Sequence, residues 1–120
     1  MGNIRHETLI ITANEQVFEN KREEINTFRD ALAEGWSQLV IGPIDSNSNG
    51  LQTMVFLPDG SKQGWYNQLA GHQLRDMFAQ MFDDSTADIV RVIHGGDEPD
   101  EVSIKVPGFD EETTLLTPEE

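Results

Sequence analysis

Residues 47–65 read N-S-N-G-L-Q-T-M-V-F-L-P-D-G-S-K-Q-G-W and contain the clearest strand in the chain, residues 51–57. Turn signals stand at both ends of this strand. The N-G pair at 49–50 can take the positive φ angles that a tight hairpin needs, and P-D-G at 58–60 is typical of a second turn. The stretch therefore predicts a hairpin before this strand and a helix after it.

The chain before this stretch predicts a strand, a helix and a second strand. Residues 7–13 (E-T-L-I-I-T-A) are short and β-branched, which is typical of a strand. Residues 17–34 place apolar side chains at helical spacing against a charged face, with Asn14 as the N-cap and Gly35 just after the end. Residues 38–44 (Q-L-V-I-G-P-I) predict the next strand.

The chain after this stretch predicts a helix over 65–82 and strands over 88–94 and 102–106. The helix has an apolar stripe that includes Met77 and Phe78. The element order β-α-β-β-α-β-β predicts an α+β fold, a ferredoxin-like split β-α-β antiparallel sheet with two helices on one face. We expect a single α+β domain over residues 1–106.

Charge is the most informative property of the composition. The 120 residues include 22 acids and 8 bases, which gives a net charge of −14. A negative field of this size repels phosphate backbones and anionic lipids and attracts basic partners, so we expect no direct nucleic-acid binding and no membrane binding. Residues 97–120 alone carry nine acids and one base. We therefore expect residues 107–120 to form an acidic C-terminal tail, interrupted by the apolar pair at 115–116.

The sequence shows no constellation typical of catalysis or metal binding. The chain has no cysteine, which excludes disulfides and thiolate sites and fits a cytoplasmic protein. His6, His72 and His94 have no paired spacing, and Ser61 does not lie in a nucleophile elbow. Residues 45–50 copy the first half of a calcium loop, but the second half lacks its glutamate. We expect no enzyme activity, no metal and no cofactor.

Two aromatic residues at the start of the second predicted helix leave two interpretations open. Trp65 and Tyr66 follow Lys62, and the favoured interpretation is a hydrophobic staple in which Trp65 packs against the helix start. The alternative is an exposed anchor for a partner. The candidate partner-binding residues are Asp97, Glu98, Asp100, Glu101, Asp110, Glu111, Glu112, Trp65 and Tyr66.

The motif from N-G at 49–50 to P-D-G-S-K-Q-G-W at 58–65 resembles a family of small uncharacterised proteins of bacteriophages and related mobile elements. The resemblance covers roughly residues 6–106 and extends to the first strand, the glycine of the second helix and the acidic glycine turn. This chain departs from the family pattern at residues 66–68 and adds the acidic segment beyond 106. The resemblance implies a phage origin and no particular activity.

Three functional hypotheses remain open at this point. The favoured one is a small acidic phage accessory protein in the cytoplasm of the infected bacterium, which inhibits a defence or host protein by binding its basic, nucleic-acid-binding surface through charge mimicry. The second is a small-ligand binding or sequestering domain that uses Lys62, His72 and Arg75. The third is a phage structural or assembly component. A homodimer is left open in each case.

Overall fold

The fold is α+β, as the sequence predicts. A computed structural model of the protein describes residues 3–62, 64–105 and 113–116. The elements are β1 (Arg5–Asn14), α1 (Glu15–Asn20), α2 (Arg22–Ala31), a 3-10 turn (Ser37–Leu39), β2 (Val40–Asp45), β3 (Leu51–Phe56), α3 (Tyr66–Gln80), β4 (Asp88–Gly95), β5 (Glu101–Lys105) and β6 (Thr113–Leu116). No helix in the described part of the chain is long and apolar enough to cross a membrane.

The strands form one antiparallel sheet in the order β2-β3-β1-β4-β5-β6. Its antiparallel character and its fifth strand were predicted, but the ferredoxin-like sheet is not matched as such, because β6 extends the sheet beyond β5. The strand β6 also lies inside the predicted tail, where the sequence indicated only an apolar pair. Residues 107–112 and 117–120 of that tail lie outside the described residues.

Strand β1 organises the core through its alternation. Every second side chain from Arg5 to Ala13 is buried, and the residues between them are partly exposed. Leu9 pairs with Phe56 on β3 and with Arg91 on β4, so these residues share the buried face. The helices cover this face, and ring contacts between Phe28 and Phe78 join α2 to α3. The core residues are Leu9, Ile11, Ala13, Phe18, Ile25, Phe28, Val40, Met54, Phe56, Phe78, Ala79, Phe82, Ala87 and Ile89.

The helices differ in detail from the predicted ones. Asn14 caps α1 as predicted, and its side chain accepts a hydrogen bond from the Gln16 amide at 2.8 Å. The predicted helix over 17–34 is wrong in its continuity and in its end. It is interrupted at Lys21 and ends at Ala31, before the predicted end, because Leu32 takes an extended backbone conformation. In α3, Met77 is 54% exposed and does not belong to the packed stripe.

The hairpin of β2 and β3 confirms the turn predicted at the N-G pair. Asn49 and Gly50 both have positive φ, at 62° and 65°, which is the conformation that a tight hairpin requires. Within β2 the register shifts between Ile41 and Ile44. Gly42 sits in this bulge with φ of 115°, and an added Cβ would lie 2.7 Å from the Thr53 carbonyl oxygen. Only glycine fits there without a backbone shift.

The sheet presents a second face on the side away from the helices, here called the outer face. None of its described residues on β1 to β5 is buried. Its centre is Ile10 on β1, which pairs with Val55 on β3 and Val90 on β4. The apolar members of the outer face are Ile10, Ile41, Ile44, Leu51, Val55, Val90, Val92, Val102 and Ile104.

Candidate functional site

The predicted acidic residues Asp97, Glu98, Asp100 and Glu101 lie together at the hairpin of β4 and β5, here called the acidic turn. The backbone reverses through Gly95 and Gly96, whose φ angles are 89° and 76°. A Cβ on Gly95 would lie 2.6 Å from the Ile4 carbonyl oxygen. The turn therefore packs tightly against the start of β1 and depends on glycine at this position.

A buried arginine holds the backbone of the acidic turn from below. Arg5 is almost fully buried, and its Nη1 donates to the carbonyl oxygens of Gly95 at 2.5 Å and Glu98 at 3.1 Å. Its Nη2 donates to the Pro99 carbonyl oxygen at 3.1 Å and lies 3.8 Å from the Glu101 carboxylate. Three carbonyl groups thus accept hydrogen bonds from one guanidinium, whose several N–H donors lie in a fixed plane.

Two of the four carboxylates also shape the acidic turn. Asp100 accepts a hydrogen bond from the Gly95 amide at 3.2 Å, and Asp97 accepts one from the Asn3 side chain at 2.5 Å. Glu98 is exposed, and Glu101 is about half exposed. The turn therefore presents negative charge on a backbone that is fixed before any partner arrives, which lowers the entropy cost of binding.

A cleft of about 270 Å³ separates the acidic turn from the first half of α3. Glu98 and Glu101 line one side of it, and Leu69 and His72 line the other. Leu69 is exposed. The cleft therefore combines carboxylates with an apolar helix surface, and it brings two of the predicted partner-binding residues next to α3.

The start of α3 presents two exposed aromatic side chains. Trp65 is 53% exposed and Tyr66 is 82% exposed. Trp65 has extended backbone angles at the N-cap position of α3. The Lys62 ammonium lies 4.9 Å from the centre of the Trp65 ring, within the range of a cation–π contact. The favoured prediction of a buried staple is therefore wrong, and the alternative of an exposed side chain agrees with the structure.

We expect the Trp65→Ala variant to lose less than about 1 kcal/mol of unfolding free energy, because an exposed cation–π contact stabilises by roughly that amount or less. Denaturant unfolding of the variant measures this loss. Phe82→Ala is the control, since Phe82 is buried in the core and its truncation should cost about 3 kcal/mol or more. A loss of similar size at Trp65 would contradict its exposed placement.

The floor of the cleft contains a polar network that the sequence did not indicate. The Glu7 carboxylate is buried, and His72 Nδ1 lies 2.9 and 3.0 Å from its two oxygens. Arg91 Nη1 lies 3.4 Å from Glu7 and 2.6 Å from the Asp76 carboxylate. One signal was available: Glu7 falls in phase with Leu9 and Ile11 on β1, and a buried carboxylate requires a partner.

Arg75 lies beside this network, and the fold buries its guanidinium and pairs it with other groups. It is 1% exposed, its Nη2 donates to the Leu57 carbonyl oxygen at 2.6 Å and to Asp59 at 3.1 Å, and its guanidinium stacks on Phe56. Burial lowers the pKa of the Arg75 guanidinium, whereas the charges of Glu7 and Asp59 act in the opposite direction. These contacts leave Arg75 little capacity to bind a ligand.

A larger cleft lies elsewhere, and its basic side chains are already paired. Its volume is about 620 Å³, and it lies between the first two helices and the hairpin of β2 and β3. Its two arginines have partners, since Arg22 pairs with Glu19 at 2.8 Å and Arg29 donates to the Gly42 carbonyl oxygen at 2.8 Å. Across the described residues, no group of three or more histidine and acidic side chains is placed to hold a metal ion.

The predicted site residues are thus only partly brought together. Glu98 and Glu101 line the cleft, while Trp65 and Tyr66 lie at the start of the helix that forms its other wall. Asp110, Glu111 and Glu112 lie outside the described residues. No protein-family model matches this chain, and comparisons with curated proteins and with solved structures find no match.

Proposed function

We propose that this protein is a small acidic binding protein that occupies the basic surface of another protein. The observation that carries the proposal is the acidic turn, whose backbone is held by the buried guanidinium of Arg5. Carboxylates on a fixed backbone can imitate the regular negative charge of a nucleic-acid strand. The acidic turn would then compete with nucleic acid for the lysine and arginine side chains with which the partner binds phosphates.

The net charge and the exposed side chains of α3 support the same proposal. A net charge of −14 on 120 residues speeds the encounter with a basic partner over distances of about one Debye length. At short range, the exposed side chains of Trp65, Tyr66 and Leu69 offer the aromatic and apolar contacts in which interfaces concentrate their affinity. On this proposal the carboxylates attract the partner from a distance, and the exposed side chains of α3 bind it at short range.

On this proposal the partner belongs to a bacterial host, an expectation that rests on the resemblance of residues 49–65 to phage proteins. On this proposal the protein is an anti-defence or host-directed inhibitor in the cytoplasm of the infected cell, and its target is a nucleic-acid-binding protein. A small-ligand function remains as a second candidate, because His72 and Glu7 meet at the cleft. It is less favoured, since Arg75 is held by the fold and Lys62 by Trp65.

The binding test changes the two carboxylates that line the cleft. We expect the double variant Glu98→Gln/Glu101→Gln to bind the partner about tenfold more weakly at low salt, and this difference should shrink at high salt because screening removes the charge contribution. Proteins retained by the parent chain from a bacterial lysate supply the partner. Duplex DNA should displace it, and affinity is then measured for each variant at both salt concentrations.

The control variant carries the same change in charge at another place. Glu23→Gln/Glu34→Gln removes two exposed carboxylates from α2 and the segment after it, so it also changes the net charge by two. We expect it to bind almost as well as the parent. Equal weakening by both double variants would show that only net charge matters, and failure of DNA to displace the partner would contradict the mimicry.

A further inference from the structure

The outer face of the sheet is apolar and almost free of charge. At one end His94 pairs with His6, and their rings lie 4.9 Å apart. At the other end Asp88 pairs with Thr12. Between these ends, the described side chains of β1 to β5 on this face are valine, isoleucine, leucine and threonine. A quarter of the chain's residues are charged, so this composition departs strongly from the rest of the surface.

No described layer covers the outer face. Ile10, Val55 and Val90 are partly exposed, whereas Leu9, Met54 and Phe56 on the opposite face are fully buried. The molecule measures 44 × 42 × 26 Å along its principal axes, and its short dimension accommodates one layer of helices on one sheet. The outer face is therefore one of the two broad faces of the molecule.

We infer that two copies of this chain associate through their outer faces. Five strands about 4.8 Å apart, each about seven residues long at roughly 3.3 Å per residue, give a footprint of roughly 550 Å². Side-chain relief makes the accessible area larger than the footprint, which approaches the roughly 800 Å² per partner of a standard stable interface. Two such faces pack about 10 Å apart with their side chains interdigitated, as in a β-sandwich.

A second copy suits the outer face better than a basic partner does. An uncharged apolar patch is complementary to itself under two-fold symmetry, and it offers no carboxylate to a lysine-rich or arginine-rich surface. The carboxylates of Glu7 and Glu101 and the charge of Lys105 lie on the helix side, because their residues pair with Ile93 and Ile89 there. This dimer does not depend on the proposed function, whose carboxylates lie at the acidic turn.

The test places a charge at the centre of the outer face. Sedimentation of the parent chain should give twice the mass of one chain. Ile10→Lys should weaken self-association by about 100-fold or more, because two desolvated ammonium groups would enter the interface. Met77→Lys is the matched control, since it adds the same charge at an exposed apolar position on α3 and should leave the dimer intact.

Salt separates this association from binding at the acidic turn. Each chain carries a net charge of −14, so raising salt from about 0.05 M to about 0.5 M screens the repulsion between copies and should strengthen the dimer. If the lysine variant does not fold, Ile10→Thr replaces it, because threonine already occurs on the outer face. This variant should weaken self-association about tenfold. A monomeric parent at both salt concentrations overturns the inference, as does a folded Ile10 variant that still dimerises like the parent.

Discussion

Replacing Arg75 with alanine is expected to lower the free energy of unfolding by about 3 kcal/mol, because it leaves the carboxylate of a buried ion pair without its partner. The guanidinium of Arg75 is 3.1 Å from Asp59, whose side chain is also largely buried, and it satisfies the Leu57 carbonyl oxygen. Breaking such pairs costs about 3–5 kcal/mol. The lower end applies here, since Arg75 Nε has no hydrogen-bond partner among the described residues.

Denaturant unfolding with a double-mutant cycle measures this effect. Arg75→Ala/Asp59→Asn should recover part of the loss, because it removes the unpaired charge while the cavity remains. Arg22→Ala is the control: its ion pair with Glu19 is exposed on both sides, and we expect a change below about 1 kcal/mol. A loss at Arg75 no larger than the loss at Arg22 would show that the buried pair does not stabilise the fold.

Phe78→Ala is expected to destabilise the protein by about 3–5 kcal/mol, the usual cost of truncating a buried phenylalanine. Phe78 is fully buried at the centre of an aromatic cluster. Its ring centre lies 5.3 Å from that of Phe28, 6.2 Å from Phe56 and 5.5 Å from Phe82. One substitution therefore removes contacts between α2, β3, α3 and the segment that follows it. These contacts add to the stabilisation from burial alone.

The measurement is again denaturant unfolding, with Tyr66→Ala as the control on the same helix. Tyr66 is 82% exposed, so its truncation should change the free energy of unfolding by about 0.5 kcal/mol or less. The loss of unfolding free energy in Phe78→Leu should lie between the losses in Phe78→Ala and Tyr66→Ala, because leucine retains most of the apolar volume. A small loss at Phe78 would mean that the cluster repacks around the cavity. For a domain stabilised by about 5–15 kcal/mol, the expected loss is a large fraction of the total.

The candidate site was only partly accessible from the sequence. The clustering of the acids from 97 to 101 in a hairpin follows from local turn chemistry, so their placement on one turn was predictable. The position of the Arg5 guanidinium beneath this turn was not predictable, because Arg5 is 90 or more residues away along the chain from the carbonyl groups that it binds. The pairing of Glu7 with His72 spans 65 residues in the same way.

The sequence by itself determined the features that depend on neighbours along the chain. Alternation on β1 set which side chains face the helices, and the N-G pair at 49–50 set the tight turn before β3. Asn14 set the start of α1 through a hydrogen bond to a residue two positions later. Each of these rests on a period or a bond of a few residues, which a single chain segment contains.

Only the tertiary structure decided the features that depend on distant segments. The strand β6 exists through its pairing with β5, although its residues fall inside the predicted acidic tail. Trp65 is exposed because no element in the described part of the chain covers the start of α3 closely enough to bury it. Among the described residues nothing covers the outer face, because α1, α2 and α3 pack on the opposite side of the sheet. Burial of this kind is set by the packing of whole elements, which local sequence patterns do not encode.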